Sequence, residues 1–183
     1  MERIDLFREL PPKTVGAEIG VYRGAFSERI LETGVAHLHL IDCWQFQPGE
    51  YEKDPSNVNQ GAQDTNHREV QQKFSKEIMQ GRVMIHRKFS SDAANDFEPG
   101  SLDWVYIDAD HTYQGCFQDL IRWSAKVKRG GFIMGHDYVD NAYSRAMGFD
   151  VPSAVRRFCD DYDWRLVRLT NEEWPSYQLV RAF

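Results

Sequence analysis

The sequence predicts an α/β fold in which a mostly parallel β-sheet carries helices on both faces and is closed by an antiparallel hairpin. Two observations carry this. Short apolar runs rich in Val, Ile and Leu alternate with longer amphipathic or polar segments, and strand–helix repetition of that kind produces parallel strands joined by right-handed crossovers. Near the C-terminus two further runs are separated by only about five residues, too few for a crossover helix, so that pair forms an antiparallel hairpin.

The parallel strands are expected over residues 14–20, 37–43, 83–88, 102–109 and 131–137, each bounded by Gly, Asp or Ser, the composition of buried strands ended by turns. Helices are expected over 25–33, 67–80 and 113–128. In the last, Phe117, Leu120, Ile121, Ser124 and Val127 share one face, while Gln118, Arg122 and Lys126 lie off it. Gly130 and Gly131 then read as the stop of that helix. Ser153 is placed to cap a helix running to residue 162. The hairpin strands are 164–170 and 176–183, around a loop that holds Asn171, Trp174 and Pro175. Trp104, Trp123 and Trp164 read as core aromatics. Residues 44–66 and 138–150 fit no regular element and follow the second and fifth strands directly. Ligands of open α/β sheets bind at the carboxyl ends of strands, and long loops in compact domains are commonly functional. At least one of the two is therefore expected to cover a substrate.

A chain of 183 residues, 42% hydrophobic and 27% charged, suits one globular domain over 1–183. Its formal charge is −6 and it has no Lys/Arg stripe interleaved with aromatics, which weighs against a nucleic-acid partner. The first ten residues include Glu2, Arg3, Asp5 and Arg8, with no apolar core of a signal peptide behind them. No apolar run approaches the ~18 residues that span a bilayer. Cys43, Cys116 and Cys159 are widely spaced and form no CxxC pair, so neither a disulfide framework nor a zinc knuckle is indicated. These features together predict a reduced, cytoplasmic protein off the membrane, with oligomerisation left open.

The segment from Glu18 to Gly24 ends the first strand and opens the first helix. Its glycines, Gly20 and Gly24, are spaced GxxxG, without the additional glycine by which nicotinamide sites bring backbone to a pyrophosphate. That suits a nucleoside ligand lacking a pyrophosphate, or simply a tight turn. Asp42 ends the second strand some twenty residues beyond Gly20, where a carboxylate can accept both ribose hydroxyls or cap the strand end. After the third strand, Ser90 and Ser91 can read an adenine edge, or Ser91 can cap a short helix.

The later motifs are distinctive. FSS at 89–91, LDWVYIDADHTY at 102–113, Asp119-Leu120, and GGFIMGHDY at 130–138 resemble a bacterial family of class I S-adenosylmethionine-dependent methyltransferases, with the likeness running from Val15 to the final hairpin. The resemblance implies a Rossmann-like seven-stranded sheet of order 3-2-1-4-5-7-6 with strand 7 reversed. It implies S-adenosylmethionine as cofactor, with Glu18 and Gly20 beside its methionine part, Asp42 on the ribose, Ser90 and Ser91 near adenine, and Asp108 below the sulfonium.

Asp108, Asp110 and His111 cluster at the end of the fourth strand, and His136 and Asp137 at the end of the fifth. In extended backbone, Asp108 and Asp110 would point to one side. So many carboxylates need a cation or a proton between them, which leaves three readings. Asp108, Asp137 and His136 could hold a divalent metal such as magnesium and acidify an acceptor hydroxyl, although imidazole suits transition ions better. His111 or His136 could act as a general base without metal. Or the groups cap strand ends. Tyr113 and Tyr138 flank the cluster and are candidates for the acceptor wall. The expected activity is methyl transfer to a small-molecule acceptor, most simply a hydroxyl. The alternatives are a nucleotide-binding oxidoreductase and a catalytically inactive nucleoside-binding module.

Overall fold

The computed structural model describes residues 1–182; Phe183, where the last predicted strand ends, lies outside the described residues. Seven strands form one sheet in the order β3-β2-β1-β4-β5-β7-β6, the order and the reversed seventh strand that the resemblance implied. They are β1 (Val15–Ile19), β2 (His37–Asp42), β3 (Val83–Arg87), β4 (Leu102–Ile107), β5 (Val127–Gly135), β6 (Trp164–Leu169) and β7 (Tyr177–Arg181). The first five run parallel, and β7 is antiparallel to both β5 and β6.

Side chains alternate across the sheet and feed two cores. On β4, Leu102, Val105 and Ile107 pack on one face, among Trp123, Phe158 and Leu179. Trp104 and Tyr106 pack on the other, among Phe7, Phe26, Val70 and Met134. The first face is covered by α5 (Ser90–Ala93), α6 (Tyr113–Ser124) and α8 (Val151–Asp161). The second is covered by α1 (Asp5–Arg8), α2 (Ala25–Glu32) and α3 (Gln60–Lys73). Trp104, Trp123 and Trp164 are all buried, as expected of core aromatics.

Several boundaries depart from the sequence expectation, each for a local reason. The expected helix over 67–80 is α3 followed, after a break at Phe74, by α4 (Ser75–Met79). It starts earlier because the Asn59 side chain caps it, accepting from the Ala62 amide at 3.1 Å. Its inner face buries Gln63 and Asn66 as well as Val70, so apolar periodicity could not reveal it. Gly130 and Gly131 do not stop a helix. They lie within β5, which starts at Val127 and bulges before pairing Phe132 with Trp104. Gly130 has φ +80°, and a Cβ on Gly131 would stand 2.4 Å from the Asp103 carbonyl oxygen. Ser153 and Ser91 are not caps either; each falls inside its helix, α8 or α5, and Pro152 occupies the first turn of α8, where its missing N–H costs nothing. The loop over 138–150 contains α7 (Ala142–Ala146), closed by a reciprocal Asn141–Ser144 capping box. The charged N-terminus holds α1, whose Phe7 packs edge-on against Trp104 at 5.0 Å.

Among the described residues no helix is long and apolar enough to cross a membrane.

One packing contact gives a direct test. Gly16 on β1 lies under the Trp104 indole, whose Nε1 donates to Thr14 Oγ1 at 3.0 Å, and a Cβ there would come within 2.1 Å of the ring. Gly16→Ala should therefore displace a fully buried tryptophan and lower stability by about 1–3 kcal/mol, the usual cost of overpacking. Urea unfolding followed by tryptophan fluorescence checks this; an unchanged midpoint would mean that the indole has room to move.

Candidate active site

Sheet register aligns the strand ends. Ile41, Ile19, Ile107 and Gly135 form one row across β2, β1, β4 and β5. The residues that follow them, Asp42, Gly20, Asp108 and His136, stand together at one edge, the carboxyl side where open sheets bind ligands. Gly20 makes the row tight. It has φ +91°, and a Cβ there would lie 1.9 Å from the Asp108 carbonyl oxygen, so glycine alone fits. Gly24, with φ +68°, faces the Phe74 ring at 2.8 Å from an added Cβ. It turns the chain into α2 beside Phe74 and is not part of the cavity wall.

Asp42 organises the turns around it. Its Oδ2 accepts from the Val21 amide at 3.0 Å and the Tyr22 amide at 2.8 Å, and its Oδ1 accepts from the Trp44 amide at 2.8 Å. Tyr22 and Trp44 both have positive φ, an arrangement that costs a bulky residue and that these bonds help to hold. The strand-end cap anticipated as an alternative is thus real. Oδ1 nevertheless keeps acceptor capacity, and Asp42 lines the cavity. Glu18 is 2% exposed and accepts from Ser27 Oγ. Burial pushes its carboxyl up to about 8, with Asp108 and Asp42 adding to the rise.

His111 is the hub of the second half. Its Nδ1 bonds Asp54 Oδ2 at 3.0 Å, and its Nε2 bonds Asp137 Oδ2 at 2.8 Å and Asp108 Oδ1 at 3.3 Å. Burial opposes charge on the ring, but the three carboxylates outweigh it and hold its pKa well above the ordinary histidine value. Asp137 likewise meets burial, yet His111 and His136 keep its carboxyl well below the usual range. His136 Nδ1 lies 3.1 Å from Asp137 Oδ1 and 3.7 Å from Asp108 Oδ1, and Arg3 Nη1 lies 3.7 Å from Asp108 Oδ2. Three carboxylates thus face two imidazoles and a guanidinium, the pairing that buried charges require.

Geometry adds His111 to the grouping expected from chain order. His136 Nδ1 lies near oxygens of both Asp137 and Asp108, and the set whose donor atoms all lie within 4.8 Å of one another is Asp108, Asp137 and His111. Asp137 reaches His111 because its backbone is left-handed, φ +56°. Asp110 does not join them. β4 ends at Ile107, so the extended alternation stops, and Asp110 Oδ1 instead accepts from the Thr112 amide at 2.9 Å. His136 and Asp137 lie behind the cavity wall, which includes Asp108, Asp110 and His111. Tyr113 stacks on Phe117 at 5.7 Å and Tyr138 packs near Tyr177 at 6.0 Å; neither is in the wall.

The cavity has a volume of about 770 Å³, within the ~300–1,000 Å³ of small-molecule sites. Loop 44–66 does cover it: Gln47, Tyr51, Asp54 and Gln63 are in the wall, and Tyr51 Oη donates to the Ala109 carbonyl at 2.9 Å. Loop 138–150 braces it from outside, with the Asp150 amide donating to the His111 carbonyl at 2.9 Å. Sequence reasoning missed Arg3, Tyr51 and Asp54, which lie in segments without periodicity and carry no motif. Ser90 and Ser91 both border the cavity.

A divalent ion would find one imidazole nitrogen and two carboxylates in span at Asp108, His111 and Asp137, a mixed set better suited to a transition ion than to magnesium. The proton that His111 Nε2 shares with Asp137 would have to leave for that nitrogen to bind.

The comparisons with known proteins agree with this architecture. Among solved structures, the N-methyltransferase NodS from Bradyrhizobium japonicum WM9 is similar with a TM-score of 0.67 at 11% identity, covering 99% of this chain and 95% of that one. A ribosomal-protein methylase from Lactobacillus delbrueckii subsp. bulgaricus has a TM-score of 0.63 at 10% identity, over 98% and 77% of the two chains. The B. subtilis tRNA methyltransferase TrmK has a TM-score of 0.63 at 10% identity, over 100% and 66%. These likenesses are of fold, and they include proteins named for RNA as well as for other acceptors. No curated protein sequence matches the chain significantly. The family described as "Methyltransferase domain" matches residues 17–138, the span from β1 through the end of β5 that builds the row of strand ends, and the chain therefore belongs to the class I S-adenosylmethionine-dependent methyltransferases.

Proposed function

We propose that this enzyme methylates a hydroxyl of a small-molecule acceptor, and that cofactor and acceptor meet above Asp108. The observation that carries the reading is the convergence of Asp108, His111 and Arg3 in the cavity wall directly beside the Gly20 turn. S-adenosylmethionine supplies an electrophilic methyl group on its sulfonium. The residues of the chain supply placement and a destination for a proton. Asp42 Oδ1 accepts from the ribose, Glu18 faces the methionine ammonium, and the base lies toward Ser90 and Ser91. Asp108 Oδ2, whose one polar contact among the described residues is the long one to Arg3, is free to accept from the acceptor hydroxyl and to aim its lone pair. As that oxygen takes the methyl group it becomes positive and acidic, so a carboxylate is base enough to stabilise the charge and receive the proton. His111, pinned by Asp54 and Asp137, holds Asp108 in place. Asp108, His111 and Asp137 would also hold a divalent ion, which would lower the acceptor's pKa. A small molecule is favoured over nucleic acid by the chain's net charge of −6, which works against a phosphate backbone.

Two measurements test this. With Glu18 raised to about 8, the carboxyl is mostly protonated at pH 7 in the free protein; an ammonium against it favours the ionised form and expels the proton. Calorimetric titration with S-adenosylhomocysteine in buffers of different ionisation enthalpy should show close to one proton released, and Glu18→Gln should abolish the release. In the same assay Asp42→Ala should weaken binding by about 1–3 kcal/mol, the value of a hydrogen bond to a charged group. No proton release, or an unchanged affinity, would move the cofactor's ends elsewhere.

The metal reading is separable. Manganese(II) titrated into the protein and followed by electron paramagnetic resonance should bind the wild type and not Asp137→Asn. Equal binding by both would place any ion elsewhere, and no binding would leave His111 and the carboxylates as the whole apparatus.

A further inference from the structure

Ser90, expected at the adenine edge, has its hydroxyl already engaged. It accepts from Trp123 Nε1 at 2.8 Å and donates to Asp119 Oδ1 at 2.5 Å. Trp123 is fully buried, and Asp119 is 5% exposed. A relay from indole to hydroxyl to carboxylate therefore runs out of the core and ends at the cavity, which Ser90 and Asp119 both line. Asp119 Oδ2 receives no hydrogen bond from the described residues. Asp119 is itself part of the cavity wall, so a donor seated in the cavity can reach its side chain and satisfy an oxygen that is costly to bury alone. Gln114, Gly115, Gln118 and Asp119 follow one another along the inner face of α6, with Ser91 opposite. Gly115 presents no side chain there because its Cβ position is filled by Asp110.

We propose that Asp119 reads the exocyclic amine of the cofactor's purine through Oδ2, with Ser90 as the residue that positions it. This rests on the reading above, which sets the base beside Ser90 and Ser91. An amine at the purine 6-position is a donor and satisfies the open oxygen. An oxo group there is an acceptor and would meet the carboxylate with lone pairs on both sides. Burial pushes the Asp119 carboxyl up to about 6, which still leaves it predominantly ionised, and so an acceptor, at neutral pH.

The test is a pair of calorimetric titrations of the full chain, with S-adenosylhomocysteine and with its deaminated counterpart, S-inosylhomocysteine. The wild type should prefer the amine ligand by about 10- to 100-fold, the equivalent of one hydrogen bond to a charged group. Asp119→Asn keeps an oxygen for Ser90 and can turn its amide toward an oxo group, so that preference should collapse or invert. Asp42→Ala should weaken both ligands alike and leave their ratio intact. Equal binding of the two ligands by the wild type, or a wild-type ratio in Asp119→Asn, would overturn the assignment alone. Failure of both ligands to bind the wild type would overturn both the assignment and the cofactor reading beneath it.

Discussion

The site depends on how closely the first strand's turn approaches the end of the fourth. The Asp108 amide donates to the Ile19 carbonyl at 2.7 Å, and Gly20 then passes where any side chain would strike the Asp108 carbonyl. That contact brings Glu18 and Asp108 into electrostatic range of one another. It also presents the Val21 and Tyr22 amides to Asp42. Groups from three strands, none adjacent in the chain, are thus locked into one wall by backbone packing, before any ligand is considered. Preorganisation of that kind lets a site act on a reactive cofactor chiefly by placing the acceptor.

The second half of the site is held by charge. Asp54 belongs to a polar loop with little apolar surface of its own, and its bond to His111 ties that loop to β4, while Asp137 ties the same imidazole to β5. Removing one partner from such a buried set leaves an uncompensated charge, which is why these groups act as a unit. The arrangement explains how a long loop can roof the cavity without a hydrophobic anchor of its own beyond Trp44. That residue is fully buried and donates from Nε1 to the Tyr22 carbonyl at 2.8 Å.

What was legible in the sequence follows from which physical rules act locally. β4 could be read because a buried strand shows as an apolar run, and the terminal hairpin because a five-residue gap permits little else. Asp42 and Asp108 were legible as carboxylates at strand ends. Gly130 and Gly131 misled because glycine ends helices and forms bulges by the same conformational freedom, and only pairing with β4 decides between them. α3 was hidden because its buried face includes the polar Gln63 and Asn66, the former donating from Nε2 to the Ser56 carbonyl at 3.0 Å. That His111 joins His136 beside Asp108 and Asp137 depends on the left-handed backbone of Asp137, and the roles of Arg3, Tyr51 and Asp54 turn on contacts across many residues of chain. None of these has a signature in spacing.

On the function proposed above, the cofactor lies along the row of strand ends with its reactive group over Asp108. The most direct measurement is a crystal structure of the chain with S-adenosylhomocysteine. It should show the ribose hydroxyls on Asp42, the homocysteine amine at Glu18, and the sulfur facing Asp108 and His111. A ligand bound with its ribose away from Asp42, or outside this cavity, would contradict the account.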